Sequence, residues 1–350
     1  MDWDDDRLAD SSRGRATRVK TPKRRTDGPV CVPNATVLEV YPKCCRVRVD
    51  SSGAEPLCQY RRASNLFRSS ARLSDENGGE TLRERAPVAV GDRVQVQTTG
   101  SSDGVVESLA PRRNALMRRA PGRDALQQTV AANVDLLVIV ASAEKPEFSP
   151  GLVDRFLIAS LKEKITPVLC ISKLDIAAGV EILKPWHIYS RLGVKVIETS
   201  ARSRAGIDLL IQEITGKSVV FCGQSGVGKT SLLRALLGNN VGRVSELSES
   251  TGKGVHTTTS AISLPGPADS HWIDTPGIRE FGITDLNPEN LSSFFPEFGS
   301  LSCSLADPPC LHVSELAESL ESLVKHCKAL QLPRYSNYLR IFESLKQGEG

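Results

Sequence analysis

Residues Gly223-Gln224-Ser225-Gly226-Val227-Gly228-Lys229-Thr230 match the phosphate-loop pattern G-x-x-x-x-G-K-S/T at every fixed position. The apolar run 218–222 before them is typical of a buried parallel strand, and 231–237 after them is typical of a helix. A glycine-rich turn between strand and helix brings backbone N–H groups close to phosphate oxygens. We therefore predict a nucleotide site that includes this stretch and Ser231, with Lys229 at the terminal phosphates and Thr230 on Mg²⁺. A chance match in an ordinary glycine-containing loop is the alternative, and it would not require the flanking strand and helix.

The length and composition of the chain indicate a protein of several domains. Its 350 residues are enough for two or three domains, and 40% hydrophobic residues are enough for packed cores. No run of about 18 apolar residues is present, so we expect no membrane span. Nine cysteines without a secretory signal indicate a reducing compartment, where free thiols or metal ligands are more common than disulfides.

Charge is unevenly distributed in the first 32 residues, although the net charge of the chain is only +3. An acidic start, Asp2 to Asp6, precedes a basic stretch from Arg13 to Arg25. Organellar transit peptides are poor in acidic residues, so this start argues against a complete one. We expect 1–32 to be a disordered basic tail. The basic stretch either meets phosphate backbones or is a solvated tail without a partner, and both interpretations stay open.

Residues 33–115 carry the pattern of short β-strands, at 35–40, 45–49, 57–60, 88–96 and 104–109. About five short strands in such a segment are typical of a small closed barrel such as an OB-fold, which often binds oligonucleotides. We therefore predict an OB-fold RNA-binding domain at 33–115. Positive charge is added at its exit by Arg112, Arg113, Arg118 and Arg119.

From 125 to 284 the pattern changes to apolar runs separated by helical segments. Runs at 134–140, 167–171, 194–198 and 218–222 predict strands covered on both faces, and 152–164 and 182–192 have helical patterns. Further strands are predicted at 261–264 and 271–273. Strands that alternate with helices predict a parallel sheet with helices on both faces. Ligands of such a sheet bind at the carboxyl ends of its strands.

Short polar motifs follow three of these predicted strands. Ser172-Lys173-Leu174-Asp175 is close to the Asn-Lys-x-Asp that reads guanine in GTPases, where the aspartate accepts from the ring N–H and the amine. Thr199-Ser200-Ala201 is similar to the loop whose backbone N–H contacts the guanine carbonyl. Asp274-Thr275-Pro276-Gly277 has the D-x-x-G pattern, whose aspartate supports Mg²⁺ and whose Gly277 N–H senses the γ-phosphate. Each motif alone is weak, but their position at successive strand ends predicts a guanine nucleotide site.

The order of these motifs differs from that of an ordinary GTPase, because here the two base-reading motifs precede the phosphate loop. We therefore interpret the domain as circularly permuted, which is tolerated because domain termini often lie close together. With the barrel, the segment Gly254-Val255-His256-Thr257-Thr258-Thr259 and a Cys/His-bearing C-terminus, this order resembles the RsgA (YjeQ) family. The resemblance covers about 33–342. It implies a GTPase that acts in late assembly of the small ribosomal subunit and binds its rRNA.

The resemblance also implies a catalytic residue. Ras-like enzymes place a catalytic glutamine where this chain has Ile278, and an isoleucine cannot orient water. In the resembling family a histidine of the threonine loop is the proposed substitute, which implies that His256 is catalytic together with Lys229. A loop histidine that only caps backbone or faces solvent is the alternative. Thr258 of the same loop is expected to complete the Mg²⁺ shell with Thr230 and Asp274.

The C-terminal segment 285–350 contains Cys303, Cys310, His312 and Cys327, and three cysteines with one histidine form a tetrahedral zinc set. The pair Cys310 and His312 resembles part of the family's Cys-x4-Cys-x-His-x5-Cys pattern, whereas the other spacings are longer. Closing a longer loop costs little entropy, so we expect about one Zn²⁺ per chain. Unliganded thiols are the alternative, and His326 is an alternative to Cys327. A final helix is predicted at 332–345.

The sequence thus predicts a multidomain protein with an OB-fold barrel, an α/β permuted P-loop GTPase domain and a small helical zinc-binding C-terminal domain. The expected partners are GTP or GDP and the small ribosomal subunit with its rRNA, without a membrane, and the expected chain is a monomer. Two alternatives stay open: a GTP-binding RNA-binding assembly factor with little hydrolysis, and a P-loop small-molecule kinase. The composition and the C-terminal insertion favour a plant organellar member, in the chloroplast or mitochondrion rather than the cytoplasm.

Overall fold

The computed structural model describes residues 31–61, 88–119, 127–176, 184–238, 261–274, 283, 286–298 and 333–347. These residues belong to one unit, Cys31–Gly350. The predicted basic tail lies outside the described residues up to position 30. No helix within the described ranges combines the length and the apolar composition that crossing a bilayer requires.

Five strands form the predicted N-terminal barrel: β1 (Ala35–Val40), β2 (Cys44–Val49), β3 (Leu57–Tyr60), β4 (Arg93–Thr98) and β5 (Asp103–Leu109). The strands pair in the order β1-β2-β3-β5-β4, and β4 returns to β1, so the sheet closes on itself. Only the β3–β5 pair is parallel among these contacts of the described strands. Alternate side chains point inward and bury a core composed mainly of valines. The barrel predicted from the alternating pattern is therefore confirmed.

A hairpin that was not predicted from the sequence connects the barrel to the next domain. Its strands, β6 (Ala115–Arg119) and β7 (Gln127–Ala132), pair antiparallel. The Ala132 N–H donates to Val90 O at 2.8 Å, which attaches β7 to the barrel. Apolar side chains of the hairpin, Leu116, Val130 and Ala131, are buried in the core of the following domain. The hairpin therefore belongs to both modules.

Arg112 does not supply free positive charge at the barrel exit, contrary to the prediction. Its guanidinium is buried and binds both carboxylate oxygens of buried Asp92, with Nε–Oδ1 at 2.8 Å and Nη2–Oδ2 at 2.9 Å. Its Nη1 donates to Thr129 Oγ1 in β7 at 3.1 Å. Because Asp92 precedes β4 in the barrel, Arg112 joins the barrel to the hairpin. Arg113 is more exposed and pairs with Asp135 at 3.0 Å.

The central domain is built on six further strands: β8 (Leu136–Ser142), β9 (Thr166–Ser172), β10 (Lys195–Glu198), β11 (Ser218–Cys222), β12 (Ile262–Pro265) and β13 (His271–Asp274). Their order is β10-β9-β8-β11-β13-β12. The first five in this order are parallel, as predicted. Strand β12 differs from the prediction, because it runs antiparallel to β13. Only 266–270 separate these two strands, which is too short for the crossover that a parallel pair requires.

Helices cover both faces of this sheet, as predicted. Helices α1 (Pro150–Lys162) and α2 (His187–Arg191) pack on one face, and α3 (Ile207–Ile214) and α4 (Lys229–Leu237) pack on the other. Strand β8 is buried along its whole length, and its residues divide between the two faces. Leu137 and Ile139 join the core of α1, whereas Val138 joins the core of α3 and α4. This division explains the continuous apolar run in the sequence.

The C-terminal region packs on helix α1. Two 3₁₀ helices (Pro288–Phe294 and Pro296–Phe298) and the final helix α5 (Tyr335–Lys346) share an apolar core with Ile158 of α1. Helix α5 is the final helix that the sequence predicted. Arg334, directly before α5, donates from Nε to Asp154 Oδ1 of α1 at 2.8 Å. Helix α1, which covers one face of the central sheet, therefore anchors this part of the C-terminal region.

The barrel and the central sheet are joined edge to edge. Strand β1 pairs antiparallel with β12 at the position Glu39↔Ile262. Through this pair the described strands of the two modules form one sheet of eleven strands. Strand β12 also comes directly after the predicted threonine loop in the sequence.

Candidate nucleotide-binding site

The predicted phosphate loop lies between the carboxyl end of β11 and the first residue of α4. Its glycines have positive φ values: 140° at Gly223, 80° at Gly226 and 95° at Gly228. A Cβ atom on Gly223 would lie 2.1 Å from Val140 O of the neighbouring strand β8, which no ordinary contact permits. The strand, glycine turn and helix thus have the arrangement that presents backbone N–H groups to phosphate.

The side chain of Lys229 turns back into this loop. Its ammonium donates to Gly223 O at 2.7 Å and to Gln224 O at 3.1 Å. Burial lowers the pKa of Lys229, while electrostatic interactions with Cys222 and Asp274 act in the opposite direction. Asp274 ends β13, whose register places it beside the end of β11. A cation that donates to two backbone carbonyls therefore lies near a carboxylate, at the sheet edge where phosphate is expected.

The two predicted base-reading motifs meet at neighbouring strand ends. Ser200, which follows β10, donates from Oγ to Asp175 Oδ1 at 2.6 Å, and its Oγ accepts from the Ser203 N–H at 3.1 Å. Asp175 follows β9, so this bond connects the two motifs. A carboxylate has about four acceptor positions, so the bond orients Asp175 and leaves it able to accept from the N–H groups of guanine.

Lys173 connects the base-reading side of the site to the phosphate side. It adopts φ 62°, and its ammonium donates to Gly226 O of the phosphate loop at 2.6 Å and to Lys145 O at 2.5 Å. Its Cε lies 3.4 Å from the position that a Cβ on Gly228 would occupy. The lysine stem therefore lies along the phosphate loop, beside the place predicted for the base.

Known proteins with this combination of modules are similar to the chain over most of its length. The family model described as "RsgA GTPase" matches residues 109–284. The "Small ribosomal subunit biogenesis GTPase RsgA" of Chlorobaculum tepidum is 34% identical over 280 residues, 78% of this chain and 88% of that protein. The protein of the same name from Borreliella afzelii is 35% identical over 264 residues, 75% of this chain and 85% of that protein. This chain belongs to the RsgA GTPase family.

Solved structures agree with membership of the RsgA family. The crystal structure of YjeQ from Thermotoga maritima has a TM-score of 0.64 at 28% identity and covers 89% of this chain and 98% of that one. The crystal structure of YloQ, described as a circularly permuted GTPase, has a TM-score of 0.57 at 24% identity and supports the fold. It covers 91% of this chain and 96% of that one. This RsgA-family protein is therefore a GTP-hydrolysing enzyme, and its permuted motif order is confirmed.

Ser172, the first residue of the base-reading motif in this RsgA-family chain, is buried at the end of β9. Its hydroxyl lies 2.5 Å from Val227 O and 3.1 Å from Ala141 O. Ala201, the predicted residue that follows Ser200 in the second base-reading motif, is half-buried. The predicted residues with exposed side chains around the phosphate loop are Gln224, Ser225, Thr230 and Ser231.

Gly206 shapes the base side of this RsgA-family site and was not predicted from the sequence. It has φ 69°, and a Cβ there would lie 2.0 Å from Glu198 O at the end of β10. The turn that it permits lets the Ser200 N–H donate to Ala205 O at 3.0 Å. The glycine itself was the available signal, because glycine adopts a positive φ without the steric cost that other residues meet.

The described part of the predicted Mg²⁺ site fits a hard cation. Thr230 is exposed near the start of α4, and Asp274 ends the strand next to the phosphate-loop strand. Hydroxyl and carboxylate oxygens are the ligands that Mg²⁺ prefers, so these residues suit the ion that GTPases of this family require. The other predicted residues here, Thr258, Gly277 and the catalytic candidate His256, lie outside the described residues.

The four predicted zinc ligands also lie outside the described residues: Cys303, Cys310, His312 and Cys327. Within the described ranges of this RsgA-family chain, no group of three or more His, Cys, Asp or Glu side chains is arranged to hold a metal ion. The zinc site therefore remains a prediction from the sequence.

Proposed function

We propose that this chain hydrolyses GTP during maturation of the small ribosomal subunit and binds the rRNA of that subunit. The observation that carries the proposal is the hydrogen bond between Ser200 and Asp175 at 2.6 Å, beside a lysine that holds the phosphate loop. It sets an acceptor for the guanine N–H groups next to a phosphate site. The relatives that are named for small-subunit biogenesis match most of this chain, which supports the ribosomal part.

The residues of the site have distinct roles in this proposal. Lys229 exchanges its backbone carbonyl partners, Gly223 O and Gln224 O, for oxygens of the terminal phosphates. Thr230, Thr258 and Asp274 hold Mg²⁺, which when bound offsets negative charge on the β- and γ-phosphates. The loops that contain Thr258 and Gly277 are ordered by GTP and released after hydrolysis.

Two other functions make different demands on the site. A P-loop small-molecule kinase would favour adenine, whose N1 carries no proton and whose C2 carries no amine, so that adenine lacks both donors from which Asp175 would accept. A GTP-binding assembly factor with little hydrolysis would use the same base contacts, and Ile278 and Ser172 are the departures that favour it. A preference for guanine would therefore argue against the kinase, and turnover of GTP would argue against the assembly factor.

The test is turnover of GTP and of ATP by the purified chain, with and without isolated small ribosomal subunits. We expect GTP hydrolysis that increases with small subunits and no comparable ATP hydrolysis. Lys229→Ala is the control for contaminating activity, and we expect it to abolish turnover while circular dichroism shows a folded protein. GTP binding without turnover in every condition would support the assembly factor. An equal rate with and without small subunits would contradict the ribosomal role.

His256 is proposed to orient the attacking water. We expect His256→Ala to lower kcat while the affinity for GTP stays near that of the wild type, because only transition-state stabilisation is lost. His187→Ala is a matched control, since that histidine has a side chain 59% exposed whose described contacts are with Glu198 and with the ring of Trp186. A parallel loss of GTP affinity in His256→Ala would make His256 a structural loop residue instead.

Zinc at Cys303, Cys310, His312 and Cys327 is proposed to hold the C-terminal domain together. Elemental analysis of protein prepared without chelator should find about one Zn²⁺ per chain. Cys310→Ser should lower this content, whereas Cys44→Ser, on a half-buried barrel cysteine, should not. A wild-type preparation without zinc would refute the site.

The compartment and the oligomeric state are part of the same proposal. The serine- and cysteine-rich composition supports a plant organellar protein, in the chloroplast or mitochondrion rather than the cytoplasm. We propose that the chain acts as a monomer. Microscopy of the full chain fused to a fluorescent protein tests the first statement, and light scattering of the purified chain tests the second.

A further inference from the structure

Ser172 lies at the junction of three segments of the nucleotide site. It is the last residue of β9 and the register partner of Ser142, the last residue of β8. Its side chain is 4% exposed, whereas the two following motif residues that face the site, Lys173 and Asp175, are only half-buried. The residue that opens the base-reading motif is thus the one least accessible to a base.

The hydroxyl of Ser172 is engaged by backbone. It lies 2.5 Å from Val227 O in the phosphate loop and 3.1 Å from Ala141 O in β8. A hydroxyl has a single proton to donate, so these carbonyls occupy its donor capacity. The side chain is also too short to reach past the loop while it keeps these contacts.

Ser172 and Lys173 bind consecutive carbonyls of the same loop. Ser172 donates to Val227 O, and Lys173 donates to Gly226 O at 2.6 Å. The next residue, Gly228, has φ 95°, and a Cβ there would lie 3.9 Å from Ser172 Oγ. The end of β9 therefore holds the phosphate loop at two successive peptide groups, and one of these contacts depends on a single hydroxyl.

We propose that Ser172 is a positioning residue that sets the phosphate loop against the guanine pocket without contacting the base. Base selection then depends on Asp175, which Ser200 orients. In this arrangement the loss of the hydroxyl weakens binding of the nucleotide phosphates and leaves the preference for guanine over adenine unchanged. The inference rests on the nucleotide site alone and does not need the ribosomal role or hydrolysis.

Calorimetry with GDP, GTP and ADP on the purified full chain tests this proposal. We expect Ser172→Ala to weaken GDP and GTP together, by about three- to tenfold, which is what the loss of one buried hydrogen bond corresponds to. The ratio of GDP affinity to ADP affinity should stay at its wild-type value. Ser172→Thr keeps a hydroxyl and should bind GDP more tightly than Ser172→Ala.

Ser160→Ala is the matched control. Ser160 is fully buried in α1, and its hydroxyl donates to Leu157 O at 2.8 Å, away from the phosphate loop. We expect it to lower thermal stability and leave all three affinities unchanged. Ser172→Cys, close in size to serine and a weak donor, replaces the alanine variant if that variant does not fold, and it should weaken GDP and GTP together.

Two results would overturn the proposal. A fall in the ratio of GDP to ADP affinity in Ser172→Ala would mean that the hydroxyl contacts the base. Unchanged GDP and GTP affinities in both Ser172→Ala and Ser172→Cys would mean that the bond to Val227 does not position the loop. Neither result bears on ribosome-stimulated turnover, so failure here is distinct from failure of the proposed function.

Discussion

Two glycines set the geometry of the nucleotide site at the level of single residues. Gly223 lets β11 turn into the phosphate loop beside Val140 O, and Gly206 lets the base-side loop turn back beside Glu198 O. Both combine a positive φ with a backbone oxygen about 2 Å from the position of a Cβ, at 2.1 Å and 2.0 Å. A side chain at either position would therefore meet a strained conformation and a rigid neighbour together.

Gly223→Ala separates these two effects when it is compared with Gly193→Ala. Gly193 also has a positive φ, 81°, but a Cβ there meets nothing within 4 Å. We expect Gly223→Ala to displace the phosphate loop and weaken GDP binding by about 5- to 150-fold, the equivalent of ~1–3 kcal/mol of strain. Gly193→Ala should only lower stability, by about 1 kcal/mol. Equal GDP affinities in the two variants, measured by calorimetry, would contradict this account of the loop.

Helix α1 connects the nucleotide site to the C-terminal region at the level of secondary structure. Its first turns line a small cavity together with Gln224 and Val227 of the phosphate loop. In the same turns, the fully buried carboxylate of Asp154 accepts three hydrogen bonds from other elements. The donors and distances are Tyr189 Oη at 3.0 Å, Arg334 Nε at 2.8 Å and Asn337 Nδ2 at 2.8 Å. The position of α1 therefore depends on contacts with α2 and with the C-terminal region.

Arg334→Met should be strongly destabilising. Arg334 is 3% exposed, and its Nη1 binds both oxygens of Glu297, at 2.9 and 3.0 Å, while Nε binds Asp154. Its removal leaves two carboxylates without their buried cation, which typically costs ~3–5 kcal/mol. Arg155→Met is the matched control, because that guanidinium crosses the same α1–α5 contact to a hydroxyl, Ser344 Oγ, at 3.0 Å. Equal shifts of the melting temperature in the two variants would contradict the importance of the buried pair.

The loss of stability in Arg334→Met should depend on pH in a definite direction. Burial raises the pKa of Asp154, and Arg334, Asn337 and Tyr189 act in the opposite direction. A folded state with the raised pKa binds more protons than the unfolded state, so stability decreases as pH rises through the carboxyl range. Removal of Arg334 raises the pKa of Asp154 further. The difference in melting temperature between wild type and Arg334→Met should therefore be largest at neutral pH and shrink as pH falls.

The whole molecule is held together by contacts that cross between the barrel and the central sheet. Strand β1 of the barrel pairs with β12, which follows the predicted threonine loop, and the hairpin β6–β7 contacts both modules. The buried Arg112–Asp92 pair is the charged part of this junction, with 7% and 0% of the two side chains exposed. The barrel is therefore attached to the nucleotide domain by a core and by a strand, in addition to the connecting chain.

Arg112→Met should destabilise the molecule as a whole, and its neighbour Arg113 provides the control. Loss of the guanidinium leaves Asp92 as a buried charge and removes the bond to Thr129 Oγ1, at an expected cost of ~3–5 kcal/mol. Arg113→Met removes a pair with Asp135 whose arginine side chain is 63% exposed, and such pairs contribute about 0–1 kcal/mol. Thermal melting distinguishes the two variants. A larger loss in Arg113→Met would show that the exposed pair, and not the buried one, joins the modules.

Most of the fold and the phosphate half of the site were predictable because their signals are local. The spacing of glycines around Lys229, the period of two in the barrel strands and the continuous apolar runs of the central strands each involve near neighbours in sequence. The order of short motifs along the chain also indicated the permutation and the guanine site. The antiparallel direction of strand β12 escaped prediction because it depends on the short turn before β13. The hairpin β6–β7 escaped prediction because its few apolar residues lie close to arginines and do not form a long apolar run.

Only the tertiary structure decided which polar groups meet. Arg334 binds Asp154 across 180 residues of sequence, and Arg112 binds Asp92 rather than remaining exposed beside the barrel. Ser172 was predicted beside the base, and the fold places its hydroxyl on the phosphate loop. Each of these residues has an ordinary sequence context, because the energy of a buried polar group depends on the partners that the fold brings to it when water is excluded. Local periodicity specifies strands and helices, but it contains no information about those partners.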